Sequence, residues 1–193
     1  TDSGHHFGGR LALTDQYVFL TIGDRGDRER AQDPTDTAGS VVRLHLDGSL
    51  PPDNPWVGDS QYRPELYSIG HRNPQGLAFD ADGVLYAHEH GPQGGDEINL
   101  IMPGKNYGWP AITYGIDYSG ATISPFTEKV GMEQPVKYWV PSIAPSSMAL
   151  YQGDMFPSWN GDLFISAMVP GDLRRLELNG EKVADEEILF PEL

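Results

Sequence analysis

Three polar stretches of this chain hold residue types that can do chemistry. In Gly70-His71-Arg72-Asn73-Pro74-Gln75-Gly76 an imidazole, a guanidinium and two carboxamides sit side by side. A short apolar strand and the turn Asp80-Ala81-Asp82-Gly83 lead to His88-Glu89-His90-Gly91-Pro92-Gln93-Gly94-Gly95-Asp96-Glu97. An Asp-Gly turn folds a chain back on itself, so these two polar loops must lie close together. His5-His6-Phe7-Gly8-Gly9-Arg10 precedes an apolar run just as Asn73-Pro74-Gln75-Gly76 does. A neutral His is the natural general base near neutral pH. Arg72 supplies a permanent cation for an oxyanion or carboxylate. In the loop Gly91 to Glu97, glycine and proline leave backbone carbonyls outside a strand ladder, and Asp96 and Glu97 add hard oxygens of the kind calcium prefers.

Each of these has a plainer alternative. A lone His before a strand is equally a surface or capping residue. His88-Glu89-His90 puts two imidazoles on one side of a strand, which invites a zinc reading, but no third ligand is evident. Asp80-Ala81-Asp82-Gly83 resembles the start of a calcium loop, yet the terminal bidentate Glu is missing, so it reads as a turn. No phosphate-cradling glycine loop, nucleotide fingerprint, His-Glu-x-x-His or nucleophile elbow is present.

The elements that must position these loops recur three times. Arg10-Leu11-Ala12-Leu13, Gly76-Leu77-Ala78-Phe79 and Ser147-Met148-Ala149-Leu150 share one pattern. Each is followed by a turn and a second β-rich run: Tyr17 to Ile22, Val84 to Ala87, and Leu163 to Ser166. A polar loop then leads to a third run: Ser40 to Leu46, Glu97 to Ile101, and Leu173 to Leu178. Asp47-Gly48 and Asn179-Gly180 close two of these with hairpin dipeptides. Three strands per unit, with a fourth from the connecting segment, is how a β-propeller blade is built. A β-sandwich also has short strands, but the recurring order favours the propeller. Asp27 to Thr37 reads as a charged loop, and proline-rich Ser49 to Arg63 is not strand interior. Asn106 to Lys137, rich in glycine and aromatics, reads as a lid or rim. No segment has helical periodicity, so the fold class is all-β.

Composition limits the partners. The 193 residues carry 28 Asp+Glu against 13 Lys+Arg, a formal charge of −15, which argues against an electrostatic grip on nucleic acid. No apolar run approaches the ~18 residues of a membrane span. With no Cys, disulfides, thiolate metal sites and cysteine nucleophiles are excluded. Gly 23 and Pro 16 suit many short elements joined by turns.

Gly70 to Gly76, Glu89-His90-Gly91-Pro92 with Asp96-Glu97-Ile98-Asn99, Asn106-Tyr107-Gly108-Trp109-Pro110 and His6-Phe7-Gly8-Gly9-Arg10-Leu11 together resemble the glucose/sorbosone dehydrogenase family. Within it the likeness is to soluble aldose sugar dehydrogenases, six-bladed propellers that use pyrroloquinoline quinone (PQQ) and calcium. The resemblance implies a single β-propeller domain over residues 1–193, covering roughly four blades and incomplete at both ends. It implies oxidation of the anomeric hydroxyl of aldoses to lactones, with electrons passed to an external acceptor, and a periplasmic or secreted location. Matched by motif, His6 is the base, and Arg72 and Asn73 contact the quinone. The Gly91 and Pro92 carbonyls hold the calcium that polarises the cofactor. Glu97 and Tyr107 resemble ligands of a second, structural calcium. Val169 stands where the family usually carries a cofactor-contacting Lys. Alternative readings are a propeller kept as a non-catalytic binding module and, further off, a calcium-dependent lactone hydrolase.

Overall fold

The computed structural model describes residues 3–169 and 171–191; Thr1, Asp2, Pro170, Glu192 and Leu193, at the ends of the expected domain and beside Val169, lie outside the described residues. Strands β1 (Gly8–Leu13), β2 (Tyr17–Ile22), β3 (Ser40–His45) and β4 (Leu66–Ile69) pair in sequence order as an antiparallel sheet. Next come β5 (Pro74–Phe79), β6 (Leu85–Glu89) and β7 (Asp96–Ile101). The chain then returns to the first sheet as β8 (Lys105–Asn106), parallel to β4, before β9 (Lys137–Trp139) completes the second. A third antiparallel sheet follows as β10 (Pro145–Leu150), β11 (Leu163–Ala167), β12 (Asp172–Asn179) and β13 (Lys182–Leu189). These are propeller blades laid side by side, with β1, β5 and β10 as equivalent first strands. Among the described residues the chain forms three blades rather than roughly four, because segment 107–136 makes no sheet of its own.

Alternation along the strands places the core between blades. On β2, Phe19 faces the second sheet, while Leu20 and Ile22 face outward to Val42 and Leu66, where Trp56 and Tyr62 cover them. Every residue of β6 is buried. Leu85 and Ala87 pack with Phe19 and Val41 of the first blade, whereas Tyr86 packs with Leu163, Ile165 and Leu176 of the third. Strand β6 therefore has two buried faces, which explains the unbroken apolar run from Val84 to Ala87.

Each first strand carries one extra residue near its start. The register slips between Gly8 and Leu11, between Pro74 and Gly76, and between Pro145 and Ser147. A bulge bends the strand and re-aims what precedes it, so the same irregularity turns three successive loops in the same sense. Two local expectations change. A short 3-10 turn, Arg28–Gln32, interrupts the charged loop Asp27 to Thr37. The β12–β13 hairpin turns on Gly180-Glu181, with Asn179 and Lys182 paired across it, rather than on Asn179-Gly180. Among the described residues no helix is long and apolar enough to cross a membrane.

Candidate active site

The loops before β1, β5 and β10 and those joining β2 to β3, β6 to β7 and β11 to β12 gather at one end of the blades. The pairs Gly8–Ile22 and Pro74–Glu89 mark that end, and the Asp24 amide donates to the Arg72 carbonyl at 2.8 Å to tie blades one and two together there. His6 reaches this end on a tightly held backbone. Its φ is 46°, a conformation uncommon outside glycine and often found at functional positions. Its carbonyl sits so close to Gly23 that a Cβ there would approach it to 2.1 Å.

The His6 Nδ1 lies 2.6 Å from Asp24 Oδ1. Asp24 is 1% exposed, whereas the His6 side chain keeps 23% exposure. Burial alone would push the Asp24 carboxyl up. Donation by His6, by the Gly26 amide and by the Trp109 indole outweighs it and holds the group below the usual range. An ionised Asp24 accepts from Nδ1–H and leaves the lone pair on Nε2, the arrangement of an oriented general base. The His6 and Arg72 side chains line one cavity of about 320 Å³, together with Asp24, Pro92, Trp109 and Tyr118.

Arg72 is buried, and its Nη1 donates to the carbonyls of His90 at 3.0 Å and Gly91 at 2.7 Å. Its Nε is buried with no partner among the described residues. An unpaired buried donor on a permanent cation fits a missing anionic acceptor. Asn73 accepts from the Gly8 amide at 3.2 Å, joining the first two inner loops. Behind Arg72, Glu89 accepts from the Arg72 amide at 2.6 Å and pairs with His71 Nδ1 at 2.9 Å. His71 in turn meets Ser68 Oγ at 2.9 Å and stacks on Tyr107. Ser68, His71 and Glu89 copy the order of a hydrolytic triad, but Ser68 and His71 are fully buried. They clamp the turn that presents Arg72.

Two places suit a hard cation. The Gly91 carbonyl uses one lone pair on Arg72, leaving the other, and Pro92 lines the His6 cavity. A second, smaller space of about 10 Å³, enough for one ion or water, is bounded by Gly70, Arg72, Glu89, Glu97 and Tyr107 among others. Among the described residues the Glu97 carboxylate accepts from Asn99 Nδ2 alone, at 3.2 Å. The Tyr107 hydroxyl is occupied by the Leu100 carbonyl and the Met102 amide, so its main-chain oxygen is the group it can offer an ion. Asp96 differs from the expectation of a calcium oxygen. One of its carboxylate oxygens accepts from the Gly91 amide; the other accepts from Ser142 Oγ and the Ile143 and Ala144 amides. That carboxylate pins two loops together.

The zinc reading of His88-Glu89-His90 dissolves because the side chains diverge. Glu89 turns to His71, His90 Nε2 meets the Pro145 carbonyl, and His88 is buried against Gly76 with its proton affinity pushed down to about 3 by burial. Asp24, Trp109 and the clamping role of Glu89 escaped sequence reasoning. Asp24 had a usable signal, since Ile22-Gly23-Asp24 follows β2 as His90-Gly91 follows β6 in the repeat.

A family model described as glucose/sorbosone dehydrogenase matches residues 1–193. The chain is 45% identical over 188 residues to aldose sugar dehydrogenase YliI of Escherichia coli K12, covering 95% of this chain and 51% of that protein. A crystal structure of a glucose dehydrogenase superposes with a TM-score of 0.94 at 50% identity, over 97% of this chain and 55% of that one. The PQQ-bound aldose sugar dehydrogenase of Streptomyces coelicolor superposes with a TM-score of 0.78 at 33% identity, over 97% of this chain and 50% of the other. The chain thus spans about half the length of these curated relatives. With the family model matched throughout and the fold shared over nearly every residue, the chain belongs to the glucose/sorbosone dehydrogenase family.

Proposed function

We propose that this chain carries the base, the anion-binding cation and the calcium-binding carbonyls of a PQQ-dependent dehydrogenase that oxidises the anomeric hydroxyl of an aldose to the lactone. The observation that carries the proposal is the 2.6 Å pairing of His6 with buried Asp24 in the same cavity as Arg72. The kinship with named aldose sugar and glucose dehydrogenases, one solved with PQQ, supports the substrate and cofactor classes.

His6 Nε2 accepts the proton of the anomeric hydroxyl, and Asp24 stabilises the imidazolium that forms. Arg72 and Asn73 would hold the cofactor, with the unpaired Arg72 Nε as the donor waiting for it. The Gly91 and Pro92 carbonyls would hold the polarising calcium, and Glu97 with the Tyr107 carbonyl a structural one. When bound, PQQ with its calcium supplies the two-electron acceptor for the hydride on the anomeric carbon. An external electron acceptor completes the turnover.

The test is dye reduction by aldoses in full-length protein, with PQQ and calcium added and withheld. Activity requiring both is expected, with His6→Ala lowering kcat by about 10²-fold or more while the melting temperature holds. Unchanged turnover in that variant removes His6 from the mechanism. Lactone hydrolysis without PQQ would redirect the assignment to a hydrolase.

A further inference from the structure

We infer that Trp109 is a positioning residue that couples the two sides of the site: its indole holds Asp24 behind His6 while its face backs the Arg72 guanidinium. The inference rests on the reading of His6 as base. Trp109 lies 85 residues along the chain from Asp24, on the long segment between β7 and β9, yet its Nε1 donates to Asp24 Oδ2 at 2.8 Å in a buried contact. The other Asp24 oxygen takes His6 Nδ1 at 2.6 Å and the Gly26 amide at 2.7 Å. Donors on both oxygens fix the rotation of the carboxylate, and the indole is the only one of them that comes from outside the first blade. The Arg72 guanidinium lies 5.4 Å from the centre of the same ring.

The size of the indole and the placement of its donor suit both jobs; Tyr and His also pair a donor with a ring, but on smaller frames with the donor set elsewhere. Phe offers a face without a donor, and Gln or Asn a donor without a face; indole combines an N–H edge with a broad π surface. The backbone around Trp109 is fixed to match. Its amide donates to the Gly70 carbonyl at 2.9 Å, and its carbonyl accepts from Gln32 Nε2 at 2.7 Å. The indole therefore stands on a frame set by the residues beside Arg72 and by the loop after Asp24. One rigid ring spaces the base apparatus from the anion-binding cation.

The test separates donor from face in the full-length protein. Trp109→Phe keeps the face and deletes the donor. A fall in kcat of about tenfold is expected, with sugar KM and PQQ Kd within about twofold of the parent. In PQQ-free protein the downfield proton resonance of His6 Nδ1–H should shift or broaden. Trp109→Leu loses the face as well, and PQQ binding should weaken by a further factor of about ten. If Trp109→Phe does not fold, 3-benzothienylalanine at position 109 matches the shape without the N–H, and the same resonance change is expected. An unchanged kcat and resonance in the donor-less variants overturns the inference. So does a parallel loss of kcat, KM and PQQ binding in both, which marks general structural damage. A shifted resonance together with full activity of His6→Ala supports the positioning of the ring and overturns the assignment of the base.

Discussion

Glu89 and Glu97 are register partners on β6 and β7, two carboxylates directly opposite one another, with Asn99 Nδ2 reaching both at 3.1 and 3.2 Å. Like charges so placed repel. Glu89 is relieved by His71 and the Arg72 amide. For Glu97, burial first and the neighbouring Glu89 second push the carboxyl up to about 8.

A pH-dependent stability follows. In metal-free protein the folded state holds a proton on Glu97 that the unfolded chain releases at ordinary carboxylate pH. Stability should therefore fall as pH rises from the usual Glu range toward about 8. Melting curves in a chelator should drop by several degrees across that window. Calcium should remove the drop, because a bound cation replaces the proton. A Glu97→Gln variant should lack both the drop and the calcium response, and an unchanged profile in that variant would reassign the effect.

Asp24 has the opposite sign. Its carboxyl is held below the usual range, so its contribution is complete above the ordinary Asp value and disappears as pH falls through the depressed one. Asp24→Asn should flatten that acid-side loss in unfolding titrations. It should also lower kcat by about 10²-fold, since the amide no longer stabilises an imidazolium at His6.

Asp96 makes a structural prediction. Its carboxylate takes four donors from two loops, three of them backbone amides. Asp96→Ala should cost about 3–5 kcal/mol in denaturant unfolding, since the amides are left unpaired in the interior. Ser142→Ala, which removes one donor, should cost about 1 kcal/mol.

Arg28 and Asp117 meet at 3.1 Å beside the His6 cavity, each partly exposed. An exposed pair contributes less than about 1 kcal/mol, so Arg28→Ala should leave the melting temperature nearly unchanged. Because both residues line the cavity, KM for sugars should rise about threefold with kcat held. Steady-state kinetics across several aldoses would check this.

Much of the scaffold was legible because it repeats. The run Tyr17 to Ile22 matches β2 in full, and the equivalent starts of β1, β5 and β10 share one pattern and one bulge. His6 and Arg72 were legible as neighbours for the same reason, since equivalent loops in repeated blades share an end. The three repeats gave the three blades directly; the fourth implied by the resemblance is missing because segment 107–136 is long enough for a blade yet bonds back to β7 and to its neighbours instead. Trp109 was hidden. Its partner Asp24 belongs to another blade, and no local spacing rule connects an indole to a carboxylate that far along the chain. Asp96 was misread as a cation ligand because three of its four donors arrive from a loop that the sequence places far downstream.

The middle blade works like the central stone of an arch. Its strand β6, buried along its whole length between Phe19 on one side and Leu163 and Ile165 on the other, can loosen only when both seams beside it part. Amide protons on β6 should therefore exchange last in the molecule. Softening that one strand would be felt at once in the loop bearing Gly91, which leaves β6 directly, and in the loop bearing Arg72, which enters its neighbour β5.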